Sequence, residues 1–486
     1  MKIIINDRKK YFLYFVFIFI VSRIIYYFLG IKFEIFLSAW QYFPIEFYKS
    51  NLLNSLFYNF SQPPFLNFLV GISIKVSENY FILILNIIYL IVSFLSFFYL
   101  MKLLILLGFK EKKSFLSSVF FMLLPTTLLL ENHGYKDFLV FACLVFSIYL
   151  SIKIIDSESI INFFLLGISV SILCLLRETF HIFWAYLFFI YIFLIIRNKK
   201  IFYSFFIVTF FVLTFYLKNL LVFNHFQLGG WMYENLTQKA QYVSRFKKQD
   251  DWLKKIIFKN DENFNNFTSK LSPIWKNAVF TSAYEYKIIL NYNYKFSHPL
   301  LHTNTFHNEI MIRVDEIRKD DFYKYLNNYP EIFVFSSLNA FFRHFFNSTD
   351  SFLFFENNSK KIPFLIKFSD CIKITLRCFY EIEIPKQYFK LTNYEKIYFS
   401  LNQINFLFVI VYLFLLYKIL KTLFFFKKLD KKQKTLCYWI LSFFFNLLIL
   451  VLFEDTEIPR HRFPFDYLAI VFLFYLYKIQ SFKKLI

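Results

Sequence analysis

The chain has 486 residues, of which 58% are hydrophobic. This composition excludes an ordinary soluble protein, because apolar runs near the length of about 20 residues that crosses a bilayer recur along the chain. The formal net charge is +22, but Lys and Arg gather in short runs at the ends of apolar segments, as the positive-inside rule expects. No basic domain could lie along a duplex, so we expect no nucleic acid partner.

Placing the basic loops in the cytoplasm predicts one consistent topology with about ten transmembrane helices. The N-terminus resembles a signal peptide in its charge order but has no small-residue cleavage site, so we expect an uncleaved first helix. The predicted spans are residues 11–30, 80–107, 114–130, 138–154, 160–176, 180–196, 201–222, 403–421, 435–453 and 463–480. Both termini are then cytoplasmic, and the expected location is the inner (plasma) membrane of a bacterium.

The predicted spans divide the chain into three parts. Residues 1–222 form an N-terminal membrane module, in which 31–79 is the first outer loop. Residues 223–400 are polar and contain no run long enough to span. Apolar residues at helical spacing in 331–346 indicate that this part is a mixed, mainly helical extracytoplasmic domain. Residues 401–486 form the C-terminal membrane helices.

A Pro-Pro pair marks the end of the first outer loop. Pro63 and Pro64 follow Gln62 and precede an apolar run. Proline suits the first turn of a helix, because its φ is fixed and it has no N–H to leave unpaired. We therefore predict a short helix at 64–77, with the polar loop held against it as a place to bind a substrate at the bilayer surface.

Charged residues form four clusters on the predicted outer side. Ionisable side chains at the bilayer edge are costly, so each is a functional candidate. The clusters are Glu34 with Trp40, Gln41 and Glu46; then Glu131, His133, Lys136 and Asp137; then Arg177, Glu178 and His181; and finally the loop 454–462 with Arg460 and Arg462. Any one of these residues is explained as an anchor of a helix end at the lipid headgroups. Four clusters that combine acidic and basic residues on one face instead favour a shared site.

An enzyme on the outer side has no nucleotide sugar, so an activated sugar donor there must be lipid-linked. Transfer from a polyprenyl phosphate needs a carboxylate to take the proton of the acceptor hydroxyl. It also needs cations, or a metal held by carboxylates, to stabilise the departing phosphate. The candidate catalytic carboxylates are Glu34, Glu46, Glu131 and Asp137, and the candidate donor- and phosphate-binding residues are Lys136, Arg177, His181, Arg460 and Arg462. We expect Glu34 to be the general base, with Glu46 as its rival.

These motifs resemble the GT-C superfamily of membrane glycosyltransferases, and within it the dolichyl-phosphate-mannose-dependent group. The resemblance implies an acid early in the first outer loop as the base, here Glu34, and a second acid in the second outer loop, here Glu131 or Asp137. Further matching positions, all candidates for substrate loops, are Trp40, Gln41, Gln62, Pro63, Pro64, Asn67, Lys218, Asn219 and Trp231. Relatives often have His two residues before the Gln-Pro-Pro, where this chain has Phe60.

The resemblance and the clusters together predict an all-α polytopic membrane enzyme of GT-C type. It would transfer a sugar, with inversion, from a polyprenyl-phosphate donor to a lipid-linked or cell-envelope acceptor. Its partners would be these substrates and the membrane lipids, and the use of a divalent metal stays open. A polymerase or ligase of envelope polysaccharide also fits. A transporter or flippase of lipid-linked glycans is the alternative from another class, although no internal repeat is visible.

Overall fold

Helices account for most of the residues that the computed structural model describes. Those residues are 2–37, 41–230, 233, 235–236, 286–287, 290–303, 305, 307–328, 330–345, 358, 361–362, 375–377, 403–453 and 458–483. Trp40, Trp231 and the segment 454–457, which the sequence predicted to contribute to the site, lie outside them.

The N-terminal part consists of helices joined by short connections. They are α1 (Lys2–Phe28), α2 (Ile45–Lys49), α3 (Leu52–Phe57), α4 (Pro64–Val76), α5 (Phe81–Leu106), α6 (Glu111–Leu123), α7 (Pro125–Glu131), α8 (Lys136–Asp156), α9 (Ile160–Leu176), α10 (Ile182–Ile196), α11 (Ile201–Val208) and α12 (Thr214–Phe223). A π-helical turn at Thr209–Leu213 joins α11 to α12 without interrupting their course.

The remaining part contains two helices that precede the last three helices of the chain. A 3₁₀ turn at Pro299–His302 leads to α13 (Ile310–Asn328) and α14 (Pro330–His344). Strands β1 (Thr375–Arg377) and β2 (Gln403–Asn405) pair antiparallel, with Leu376 opposite Ile404. The last helices are α15 (Phe406–Leu423), α16 (Lys431–Phe453) and α17 (Ile458–Lys483), with a 3₁₀ turn at Phe426–Lys428 between the first two.

Five helices of the described residues are long and apolar enough to cross a membrane. They are Lys10–Phe28 within α1, α5, α8, the continuous pair α11–α12, and α16. The pair α6 and α7, bent by 62°, would be a sixth. Helices of this length and composition suggest a polytopic helical membrane protein. The predicted helix at 64–77 is confirmed as α4, which begins at Pro64 with Pro63 as its N-cap.

Two boundaries differ from the sequence prediction. The predicted span 114–130 is broken at Leu124, whose backbone is extended (φ −63°, ψ 137°) because Pro125 disfavours helical geometry in the residue before it. The outer loop expected to run to residue 462 ends earlier, since α17 already begins at Ile458. A proline at position 459 can occupy a first helical turn, where no N–H is needed.

Helix α8 lies at the centre of the bundle. Of its apolar window, 83% is buried, against 17–50% for the other candidate spans. It packs against α5 and α9 and against the C-terminal helices α16 and α17. Because α8 contacts helices from both ends of the chain, the N- and C-terminal helices share one core around it.

The basic loops meet at one end of the bundle, here called the inner end. Lys432 forms an ion pair with Asp156 at 2.6 Å, and the Tyr191 hydroxyl donates to the carbonyl of Lys434 at 2.8 Å. The ammonium of Lys478 hydrogen bonds to the carbonyl of Gly108. The opposite end, here called the outer end, carries the residues described next.

Candidate functional site at the outer end

The first two acidic clusters are joined through the backbone. The N–H of Glu34 donates to the carbonyl of Asn132 at 2.9 Å, and the N–H of Gly134 donates to the carbonyl of Glu34 at 2.8 Å. This is a parallel bridge between Glu34 and His133. The hydroxyl of Tyr42 adds a hydrogen bond to the Gly134 carbonyl. Glu34, the first acid of the first outer loop, therefore lies against the second outer loop.

Glu131 is bound by a residue that the sequence prediction overlooked. Arg23, within α1, forms an ion pair with the buried Glu131 carboxylate, with its Nε 3.0 Å from Oε1. The hydroxyl of Ser93 also donates to this carboxylate. Glu131 thus connects α7 to α1 and α5, and Arg23 neutralises its charge. The available signal was an Arg inside an apolar span, which requires a partner.

Asp137 and Arg177, to which the sequence prediction gave separate roles, bind each other. Their ion pair is fully buried and joins the start of α8 to the end of α9. Glu178 follows directly, and its carboxyl lies against Gly229. Burial raises the pKa of Glu178 to about 7, while the nearby Lys136 ammonium opposes that rise. Glu178 was placed in the third cluster but not among the predicted site residues.

His181 lies at the same end but serves the start of α10. Its Nδ1 accepts a hydrogen bond from the N–H of Phe183 at 3.3 Å. Its ring packs edge-on against Tyr216, with ring centres 4.8 Å apart. Burial lowers its pKa. A neutral His181 is therefore a helix cap beside the site.

Asn67 holds the first outer loop in place. Its Nδ2 donates to the carbonyl of Gln41 at 2.9 Å. Its Oδ1 accepts from the N–H of Phe43 at 3.2 Å and from the hydroxyl of Tyr48. The asparagine after the Pro-Pro pair thus fastens the loop to α4, as expected for a loop held against that helix.

Replacing Asn67 with Ala should destabilise this loop. The buried carbonyl of Gln41 would lose its partner, and the N–H of Phe43 would keep only the Tyr48 hydroxyl; an unsatisfied buried group costs about 1–3 kcal/mol. We expect a lower free energy of unfolding in detergent for Asn67→Ala than for Asn54→Ala, a variant of an exposed residue in the same loop. Equal stability of the two variants would show that the Asn67 hydrogen bonds do not hold the loop.

The other predicted loop residues also make structural contacts. The ammonium of Lys218 donates to the carbonyl of Asn59 at 2.5 Å, and the Nδ2 of Asn59 donates to the carbonyl of Gln62 at 2.8 Å. The Nδ2 of Asn219 donates to the carbonyl of Gln227. Lys218 and Asn219, at the end of α12, therefore position the segments on either side of the site.

His307 connects the part beyond residue 290 to the first outer loop. Its Nε2 lies 3.1 Å from the carbonyl of Tyr42, and its Nδ1 lies 2.7 Å from the hydroxyl of Ser61. Since a carbonyl only accepts, Nε2 carries the proton and Nδ1 accepts from Ser61. The ring is fully buried, and this burial lowers its pKa to about 4.

Acid should weaken this contact. The pKa of His307 is about 4 in the fold and 6.5 as its ordinary value. The unfolded chain therefore binds more protons in this window, so stability is complete above pH 6.5 and falls as pH drops toward 4. We expect the segment 307–328 to become sensitive to an acid-active protease over that range. His307→Gln, which can donate and accept in the same places, should remove this pH dependence; an unchanged profile would contradict the assignment.

Arg462 and Arg460 are placed differently from the prediction. Arg462 lies in α17, where it binds Asp466 one turn later at 2.9 Å and stacks on Phe408 at 4.9 Å. The backbone of Arg460 lies in the first turns of the same helix. The two arginines therefore do not flank a turn. Glu46 is exposed in α2.

Among the described residues, no group of three or more His, Cys, Asp and Glu could hold a metal ion. No protein-family model, curated protein or solved structure matches the chain. The function therefore has to be inferred from the residues of the outer end.

Proposed function

We propose that the chain is an integral membrane glycosyltransferase of GT-C type. It transfers one sugar from a polyprenyl-phosphate donor to a lipid-linked or cell-envelope acceptor at the outer end of its helix bundle. The single observation that carries the proposal is the backbone pairing of Glu34 with the second outer loop. This pairing brings the backbone of Glu34 within a few residues of the start of α8, where Lys136 and the Asp137–Arg177 pair lie.

Two of the four candidate acids are paired with arginines. Asp137 and Glu131 are each bound by an arginine, so neither is suited to take a proton from a hydroxyl. Glu34, partly exposed on the paired loop, is the general base of the proposed reaction. Lys136 is the first residue of α8, so its ammonium and the positive end of the helix dipole favour the donor phosphate.

The proposed topology has about ten spans with the outer end outside the cytoplasm. Helices α9 and α10, with 17 and 15 residues, then cross beside the longer spans. A cysteine placed at Ser297, which precedes the 3₁₀ turn, should react with a membrane-impermeant maleimide in intact cells. Labelling that requires permeabilised membranes would place 290–345 inside and overturn both the topology and the outer site.

Lipid analysis of a strain lacking the chain tests the reaction itself. We expect a polyprenyl-phosphate monosaccharide to accumulate beside an envelope glycan that is one sugar shorter. Accumulation of a complete lipid-linked glycan, without a truncated product, would indicate a polymerase, ligase or flippase and contradict the proposal.

A further inference from the structure

Glu178 lies near the start of α8, where the Lys136 ammonium and the helix dipole are assigned to the donor phosphate. It follows Arg177, whose guanidinium binds Asp137, and Asp137 in turn follows Lys136 at the start of α8. The Lys136 ammonium acts on the Glu178 carboxyl electrostatically. Lys136 and Glu178 therefore lie next to the same buried ion pair.

The Glu178 carboxyl differs from the neighbouring acids in its partners. Glu131 and Asp137 are each held by an arginine. Glu178 has neither a hydrogen-bond nor an ion-pair partner among the residues that the structure describes. It is only half-buried, so a ligand at the outer end can reach it.

Gly229 leaves the space that this carboxyl occupies. A Cβ on Gly229 would lie 1.7 Å from Oε1 of Glu178 and 2.5 Å from its Cδ. An added Cβ would therefore displace the carboxyl, which is the end of a flexible side chain, from this place. The next residue is a natural control, because a Cβ on Gly230 would meet only the ring of Phe60, at 3.5 Å and 3.6 Å.

The surroundings of Glu178 favour its protonated form. Burial raises its pKa to about 7. The groups that face it are Lys136 from α8, which opposes the rise, Tyr216 from α12, and Asp315 from α13. The pKa of Asp315 is itself raised to about 8, chiefly by burial and in part by Glu178. A protonated carboxyl offers one O–H donor.

We propose that Glu178 donates a hydrogen bond, and during transfer its proton, to the phosphate group of the donor, and that Gly229 positions its carboxyl. This inference rests on the proposed glycosyltransferase function. The acceptor oxygen bonds to the anomeric carbon and gives its proton to the Glu34 carboxylate. The bond from that carbon to the phosphate oxygen breaks with its electron pair on the oxygen, which takes the proton of Glu178. The products are the glycoside, a monoanionic polyprenyl phosphate, protonated Glu34 and ionised Glu178.

Binding of a phosphodiester tests the hydrogen bond without requiring transfer. The probe is methyl farnesyl phosphate, whose single charge does not change between about pH 6 and pH 8.5. As pH rises, Glu178 ionises, so the site loses a donor and gains a negative charge beside the phosphate. We expect the wild-type chain in nanodiscs to bind the probe about tenfold or more weakly at the higher pH. Glu178→Gln keeps an N–H donor and should lose most of this pH dependence, with the remainder due to Asp315, and it should bind more tightly than wild type at the higher pH.

The glycine pair tests the positioning role. Gly229→Ala should weaken probe binding at the lower pH and displace the carboxyl, whereas Gly230→Ala should bind as wild type. Equal binding by Gly229→Ala and wild type, or a pH dependence as large in Glu178→Gln as in wild type, would overturn the inference.

Transfer assays separate this inference from the proposed function. Glu178→Gln binds the probe but cannot supply a proton, so its transfer rate should fall about 10²-fold or more, and its pH profile should lose the decline above about pH 7. Normal transfer by Glu178→Gln with an unchanged profile would reject the role of Glu178 and leave the glycosyltransferase standing. Probe binding that follows the expected pattern in a chain that transfers no sugar would support the phosphate contact and reject the glycosyltransferase.

Discussion

Replacing Glu34 with Gln should lower the rate of sugar transfer about 10²–10⁴-fold, the range expected when a general base is lost. The variant keeps the shape of the side chain and both backbone hydrogen bonds that join Glu34 to the second outer loop. Stability and donor binding should therefore change little. The measurement is the single-turnover rate of transfer by purified variants in nanodiscs, with protein amount and donor affinity determined in parallel.

Glu46→Gln is the matched control for this experiment. Glu46 lies in the same loop but is exposed in α2, so its loss should leave transfer near the wild-type rate. A Glu34→Gln variant that transfers normally, together with an inactive Glu46→Gln, would move the base to position 46.

Replacing Arg23 with Met should destabilise the chain by about 3–5 kcal/mol, because it leaves the Glu131 carboxylate buried without its cation. The side chain of Glu131 is 1% exposed and that of Arg23 is 10% exposed, so water cannot compensate for the lost partner. The measurement is the free energy of unfolding in mixed micelles, for Arg23→Met and for wild type.

Two further variants distinguish an unpaired charge from lost packing. The double variant Arg23→Met with Glu131→Gln removes both charges and should recover much of the loss. Lys49→Met breaks an exposed pair with Glu78 and should cost no more than about 1 kcal/mol. A double variant as unstable as Arg23→Met alone would show that the ion pair is not what Arg23 contributes.

Local sequence signals predicted the helices but not all of their boundaries. The start of α4 at Pro64 follows from the geometry of proline. The break before Pro125 follows from the same rule, but the apolar run around it favoured one continuous span. The early start of α17 also has a local signal, since Arg462 and Asp466 are one helical turn apart.

The residues of the site could be predicted from the sequence, but which of them bind each other could not. The clusters around Glu34 and Glu131 were expected to share one end of the bundle, and the backbone bridge at Glu34 joins their loops. Which acid binds which cation depends on helix packing, because Arg23 reaches Glu131 across more than a hundred residues of sequence. The contact between Glu178 and Gly229 likewise depends on how the segment after α12 folds back.

The most direct test of the proposed function is transfer by the purified chain alone. The chain would be reconstituted with a series of polyprenyl-phosphate monosaccharides and a lipid extract that supplies acceptors, and the release of free polyprenyl phosphate would be measured. We expect release with one sugar donor, abolished in Glu34→Gln and retained in Glu46→Gln. Release from none of the donors, by a folded chain whose outer end is accessible, would contradict it.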